Sequence, residues 1–229
     1  MTTLLKLSPL NGAVERLGAH LQELAGWRCA ESYGGLEAEL AAIRVGCGLA
    51  DVSAMGKLQV EGSQAHAILA AALGAAPEAV GGYARVEAGD LCCLRPDMYF
   101  LLTPPGAETA ARERLEAAVA GQHDLVTVTD LTHGLSGIEL VGPRAVDVLR
   151  RVCGLDFDEA AFPNLTAQQS SLAKTRQLIL RRDRGSLPAY VTLGARSLAT
   201  YVWGVLLDAG HTVGVAPVGL AALRSLEPA

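Results

Sequence analysis

Side chains able to do chemistry are few in this sequence, and their spacing limits what they can do. Cys92 and Cys93 adjoin on a stretch that reads as a strand. Neighbouring strand residues point to opposite faces, so the two thiols cannot hold one metal and read as buried structural groups. His133 follows Asp130 and Thr132. It suits either a general base or a solvated, backbone-bonded histidine of a turn. Asp90 comes directly after Gly89 at a strand start, where a carboxylate either serves a reaction or fixes the turn. The five cysteines include no CxxC and no Cys/His pair at zinc spacing, which predicts free thiols in a reducing compartment and no metal site. No phosphate loop, GxGxxG, HExxH or GxSxG occurs.

Any such group must be positioned by a fold that the chain is long enough to build. With 229 residues, 50% of them apolar, the core needs neither disulfide nor metal, as one large domain or two intimate halves. The net charge is −5, and no basic run exceeds Arg181-Arg182 with Arg184 nearby, so nucleic acid is discounted as a partner. Residues 1–10 carry Lys6 within a short apolar stretch and lack a signal-peptide layout. Residues 67–86 contain glycines, Pro77, Glu78 and Arg85, which argues against a membrane span. Together these point to the cytoplasm.

Apolar spacing predicts helices over 11–24 and 36–47, the second ending at Gly48. Residues 57–61 alternate as a half-buried strand, and Gly62-Ser63 supplies a turn and an N-cap to a helix over 64–73. The same order returns: Asp130-Leu131-Thr132, a strand over 137–141, Gly142-Pro143 and a helix over 144–152. With one gap, Asp51 matches Asp130, Ser53 Thr132, Leu58 Ile138, Val60 Leu140, Gly62 Gly142, Ala65 Ala145 and Leu69 Leu149. Two repeats make a pseudo-symmetric pair rather than a solenoid, so residues 1–229 read as one domain of two interlocked halves with repeat units 51–73 and 130–152. A hairpin over 89–94 and 98–103, a helix over 107–120 and a strand near 125–128 lie between the copies. Strands over 177–180 and 190–193, a helix over 197–209, a strand over 213–215 and a helix over 218–226 follow. The irregular alternation predicts an α+β fold with antiparallel sheets and flanking helices.

Leu24-Ala25-Gly26-Trp27, Tyr33-Gly34, Glu39, Arg44, Gly48-Leu49, Asp51-Val52-Ser53 and Met55-Gly56 resemble the opening half of the aminomethyltransferase (T-protein) family of the glycine cleavage system. The second copy, from Val128 through Gly142-Pro143 to Asp156 and Ala161-Phe162-Pro163, is similar to the gamma subunit of heterotetrameric sarcosine oxidase. Trp203, Leu206-Leu207, Ala209-Gly210, Gly214 and Pro217-Val218-Gly219-Leu220 resemble the close of the T-protein folate domain. The resemblance implies a duplicated T-protein-like folate-binding fold with tetrahydrofolate in a central channel and its N5 presented to a one-carbon donor. Gly89-Asp90 matches the hairpin that carries the family's catalytic aspartate, so Asp90 is the implied catalytic residue, with Tyr83, Tyr190 and Arg224 lining the channel.

Three positions depart from the family pattern. Tyr190 stands where a pterin-gripping glutamate is usual, Leu223 where an arginine is usual with Arg224 one residue later, and Ala54 where SHMG has histidine. The chain also ends where a T-protein continues into a carboxy-terminal β-domain, and it has no KGCYxGQ-like segment. The implied function is a tetrahydrofolate-binding module in glycine or methylamine one-carbon metabolism. It would be aminomethyltransferase-like, or an accessory subunit of an amine oxidase or demethylase, with folate and partner subunits as its partners. The alternative is a non-catalytic interaction protein that keeps the fold without folate.

Overall fold

The chain, seen in a computed structural model that describes residues 4–121 and 123–227, opens with strand β1 (Lys6–Leu7) and helix α1 (Asn11–Arg16). Residues 1–3, the start of the stretch read above for a signal peptide, lie outside the described residues. The helix expected over 11–24 stops early, because Gly18 takes a φ of +82° and the chain leaves the helix there. Strands β2 (His20–Leu24) and β3 (Trp27–Ser32) then form a hairpin about Ala25 and Gly26, both at positive φ, as a two-residue hairpin turn requires. Helix α2 (Leu36–Val45) ends short of Gly48, and strand β4 (Cys47–Asp51) follows.

The first repeat continues as β5 (Gly56–Glu61) and α3 (Ala65–Leu73). Ser63 does not cap α3; its hydroxyl turns to Asp124. The linking elements are β6 (Tyr83–Val86), β7 (Gly89–Arg95), β8 (Met98–Thr103), α4 (Glu108–Val119) and β9 (Thr127–Asp130). The second repeat supplies β10 (Leu135–Val141) and α5 (Ala145–Val152). Then come β11 (Thr166–Leu172), β12 (Thr175–Arg181), β13 (Ala189–Ala195), α6 (Ala199–Gly210), β14 (Val215–Pro217) and α7 (Leu220–Ser225).

Among the described residues the strands form a three-stranded sheet, β1-β3-β2, and two larger ones. The five-stranded order is β6-β7-β8-β5-β9, and the six-stranded order is β11-β12-β13-β10-β4-β14. In these two orders β5 and β10 hold the same place, β5 beside β8 and β10 beside β13. The five-stranded sheet is antiparallel, and in the six-stranded one β12 pairs antiparallel with β13 and β10 with β4, while β14 runs parallel to β4.

The Asp-x-Ser/Thr motifs show why the repeat is written in those residues. Asp51 Oδ1 accepts the Ser53 amide at 3.0 Å, and Asp130 Oδ1 accepts the Thr132 amide at 2.8 Å. Each hydroxyl oxygen then accepts an amide from the other repeat's strand: Ser53 Oγ from Gly137 at 3.1 Å, and Thr132 Oγ1 from Lys57 at 3.0 Å. The two aspartates close the matching ladders, Asp51 opposite Ile138 and Asp130 opposite Leu58. Gly62 and Gly142 both carry positive φ, and a Cβ there would lie 2.4 Å from Leu125 O and 2.5 Å from Ile43 O, so only glycine fits.

The chain divides into two units. The first comprises Met1–Ala54, Ser136–Asn164 and Gln169–Ala229; the second comprises Met55–Leu135 and Leu165–Gln168. The division cuts each repeat between its aspartate motif and its strand, so each unit holds the motif of one copy and the strand of the other. In the first unit, Leu49, Ile138, Leu140, Leu149, Tyr190, Trp203 and Leu206 pack in one core. In the second, Leu58, Val60, Leu69, Leu91, Tyr99, Leu101 and Leu115 do the same.

Candidate functional site

In the second unit β7 is set against β8 by Gly89, whose φ is +138° and whose Cβ, if present, would lie 2.1 Å from Leu102 O. Asp90 follows, in register with Arg85 on β6 and Leu102 on β8, and Leu102 is in register with Lys57 on β5. Residues in register across antiparallel strands share a face, so Arg85, Asp90, Leu102 and Lys57 form one row. Two residues along, Tyr83, Cys92, Phe100, Gln59 and Thr129 form the next row of that face. Leu58, Leu91 and Leu101 alternate with these residues and point into the core, on the opposite face.

Three of the four residues in the row are ionisable; Arg85 is exposed, whereas Asp90 is only 5% exposed and Lys57 is 0% exposed. Lys57 Nζ donates to Met55 O at 2.7 Å. Tyr83 is half-buried. Burial, and next the Asp90 carboxylate, push the Cys92 thiol well above its ordinary value, so it stays protonated and inert. The expectation that Cys92 and Cys93 are buried and point apart agrees with the structure.

Tyr190 and Arg224 belong to the first unit. Tyr190 is fully buried, stacked on Phe162 with centroids 6.2 Å apart, edge-on to Phe157 at 5.7 Å, with the Arg181 guanidinium 5.7 Å from its ring. Its hydroxyl is pushed above the ordinary range by burial. It fills the core of its unit as Tyr99 fills that of the other. Arg224, on α7, is about half exposed and ion-paired with Glu31. Asp90 and Tyr83 thus share a sheet face within one unit, while Tyr190 and Arg224 lie in the other. His133 is exposed in the turn between β9 and β10. Among the described residues no three or more His, Cys, Asp or Glu side chains cluster to hold a metal.

Several charged groups escaped the sequence reading. Arg184 donates through Nε and Nη2 to the two oxygens of Glu139, at 2.5 and 2.9 Å, and through Nη1 to Leu223 O at 3.2 Å and Glu227 at 2.7 Å. Burial alone would lower its pKa, but the Glu139 charge and the hydrogen bonds that Arg184 donates to both carboxylates outweigh that and raise it. Arg181 donates to Phe162 O at 2.8 Å and takes Asp183 through two nitrogens. Glu39, quoted above only as part of a motif, accepts the Tyr33 and Gly219 amides at 2.6 Å each and so ties α2 to the start of α7. Arginines near Asp183 were legible in the sequence. Their partner Glu139 was not, since a strand glutamate ordinarily faces solvent.

Residues 10–227 match the GCVT N-terminal domain family. The aminomethyltransferase of Saccharopolyspora erythraea is 30% identical over 96% of this chain and 62% of its own length, and that of Chlorobium phaeovibrioides is 30% identical over 97% and 64%. The glycine cleavage system aminomethyltransferase T of Bartonella henselae superposes with a TM-score of 0.83 at 28% identity, over 97% of this chain and 62% of that one. A chain of the heterotetrameric sarcosine oxidase from Corynebacterium sp. U-96 superposes with a TM-score of 0.66 at 28% identity, over 80% of this chain and 94% of that one. The chain spans less than two thirds of the length of the aminomethyltransferases it matches. With residues 10–227 matched by the family model and the fold shared with a solved aminomethyltransferase, this chain belongs to the GCVT N-terminal domain family.

Proposed function

We propose that the chain is a tetrahydrofolate-binding module of one-carbon metabolism, working as a subunit of a larger complex. The observation that carries this reading is Asp90, a carboxylate only 5% exposed on a sheet face turned away from its unit's core. A carboxylate on such a face can accept N–H donors beside the partners it already has, and a reduced pterin offers several N–H donors on a flat ring. Tyr83, in register with Cys92 two residues from Asp90, supplies an aromatic surface on the same face. Tetrahydrofolate, when bound, supplies the nitrogen that accepts or carries the one-carbon unit.

The chain's own part is to orient that nitrogen and to stabilise positive charge developing beside it. A preorganised carboxylate in a water-poor site does this without reorganisation. Tyr190 enters as core packing, and Arg224 as the ion-pair partner of Glu31. The likeness to a chain of a heterotetrameric sarcosine oxidase supports the subunit role, and the aminomethyltransferases support transfer of a one-carbon group.

The test is calorimetric titration with tetrahydrofolate and 5-formyltetrahydrofolate, for the wild type and Asp90→Asn. Binding that Asp90→Asn weakens at least tenfold is the expected result. The second reading is an interaction protein without folate. It is favoured by the burial of Tyr190 and the engagement of Arg224, which remove two of the four anticipated ligand contacts as they stand. Absence of binding up to millimolar ligand selects it.

A further inference from the structure

Arg85 lies on β6, the edge strand of the five-stranded sheet, in register with Asp90 and therefore on the same face. Its backbone is one strand spacing, ~4.8 Å, from that of Asp90, and its side chain is exposed. The other arginines of its unit are each ion-paired: Arg95 with Glu61 and Asp97, Arg112 with Glu116 and Asp130, and Arg114 with Glu87. Arg85 makes no hydrogen bond or ion pair among the described residues, and Asp90 opposite has partners of its own. Tyr83, two residues along β6, shares the face, so the strand presents an aromatic ring and a guanidinium together at the rim of the Asp90 row. A guanidinium holds its N–H donors in a fixed fork that takes a carboxylate through parallel hydrogen bonds. The chain's net charge of −5 offers an anionic ligand no general attraction, so a local cation has to draw a carboxylate to this face.

We propose that Arg85 is the carboxylate-binding residue of the Asp90 face, anchoring the acidic end of a ligand by a forked hydrogen bond at the sheet's edge. The functional meaning rests on the tetrahydrofolate reading. Two ligands of that reading carry a carboxylate: tetrahydrofolate itself, in its glutamyl tail, and an amino acid serving as one-carbon donor. An arginine that served only to keep the edge strand from pairing with another chain would leave the affinity of both unchanged.

The test is calorimetric titration of the full chain, as wild type, Arg85→Gln and Arg85→Lys, with tetrahydrofolate, with tetrahydropteroate, which lacks the glutamate, and with sarcosine. Arg85 is exposed, so the variants should unfold in urea as the wild type does. With the tail as partner, the wild type prefers tetrahydrofolate to tetrahydropteroate. Arg85→Gln then weakens tetrahydrofolate by about three- to tenfold and tetrahydropteroate not at all, and Arg85→Lys recovers part of the loss. With the donor as partner, the two pterins bind alike and Arg85→Gln weakens sarcosine instead. Affinities that Arg85→Gln leaves unchanged for every ligand, or lowers equally for tetrahydrofolate and tetrahydropteroate, overturn the role of Arg85 while the folate reading stands. Sarcosine binding that needs Arg85, with no folate binding by the wild type, refutes the folate reading and leaves the carboxylate site. A wild type that binds none of these ligands overturns both.

Discussion

Replacing Arg184 by methionine removes one member of a charge pair whose other member, Glu139, has no solvent exposure. Methionine keeps most of the stem volume, so the change is mainly electrical. It deletes two hydrogen bonds to the Glu139 carboxylate and one each to Leu223 O and Glu227. Breaking a buried pair from one side costs about 3–5 kcal/mol, because the remaining charge is left uncompensated. At ~2–4 °C per kcal/mol for a chain of this size, the midpoint should fall by about 6–20 °C. Urea unfolding at neutral pH, read by circular dichroism, gives the free energy, and a thermal scan gives the midpoint. Glu139→Leu added to Arg184→Met should recover most of the loss, since two apolar side chains leave no buried charge. A single variant within about 1 kcal/mol of wild type, or a double variant no better than the single, would refute the reasoning.

Four further outcomes follow from the geometry. Ser53→Ala and Thr132→Val each orphan a buried strand amide, of Gly137 and Lys57 respectively, and should each cost about 1–3 kcal/mol in urea unfolding, alike because the motifs are equivalent. Gly89→Ala should destabilise the chain, because a Cβ meets Leu102 O and the φ of +138° disfavours any side chain; a fully stable variant would contradict the β7–β8 approach. Burial tends to raise the Asp130 pKa, but the Thr132 hydroxyl and amide, with Arg112 and His133, lower it overall from 3.8. Its contribution is therefore present above about 3.8 and lost as pH falls through the lower folded value, so Asp130→Asn should flatten the acid limb of stability measured against pH. All five cysteines are buried, and burial pushes the Cys47 thiol up to about 12, so a thiol reagent should titrate none of them within minutes until denaturant is added.

The matched motif residues were legible because they do specific work: aspartates that accept an amide two residues on, hydroxyls that hold a strand, glycines where a carbonyl presses close. Helices α3 to α6 and strands β5, β7, β8, β12 and β13 were readable from apolar period for the same reason. Strand β2 was not, since its leucines continue the helical spacing of α1 and only Gly18 marks the break. Strands β6 and β11 are short or polar, TAQQSSL in the latter, and carry little signal. The site was half legible. Gly89-Asp90 is a local pattern, but the burial of Lys57 and Glu139 is set by residues distant in sequence, which alternation along one strand does not report. Tyr190 illustrates the converse: a position chosen by alignment proves to be packed by Phe157, Phe162 and Arg181.

Calorimetric titration of the purified chain with tetrahydrofolate tests the central claim most directly, with Asp90→Asn and Tyr190→Ala alongside. Saturable binding by the wild type, weakened at least tenfold by Asp90→Asn and altered by Tyr190→Ala only as far as stability falls, is the predicted result. No heat of binding up to millimolar tetrahydrofolate, or an affinity that Asp90→Asn leaves unchanged, would contradict it.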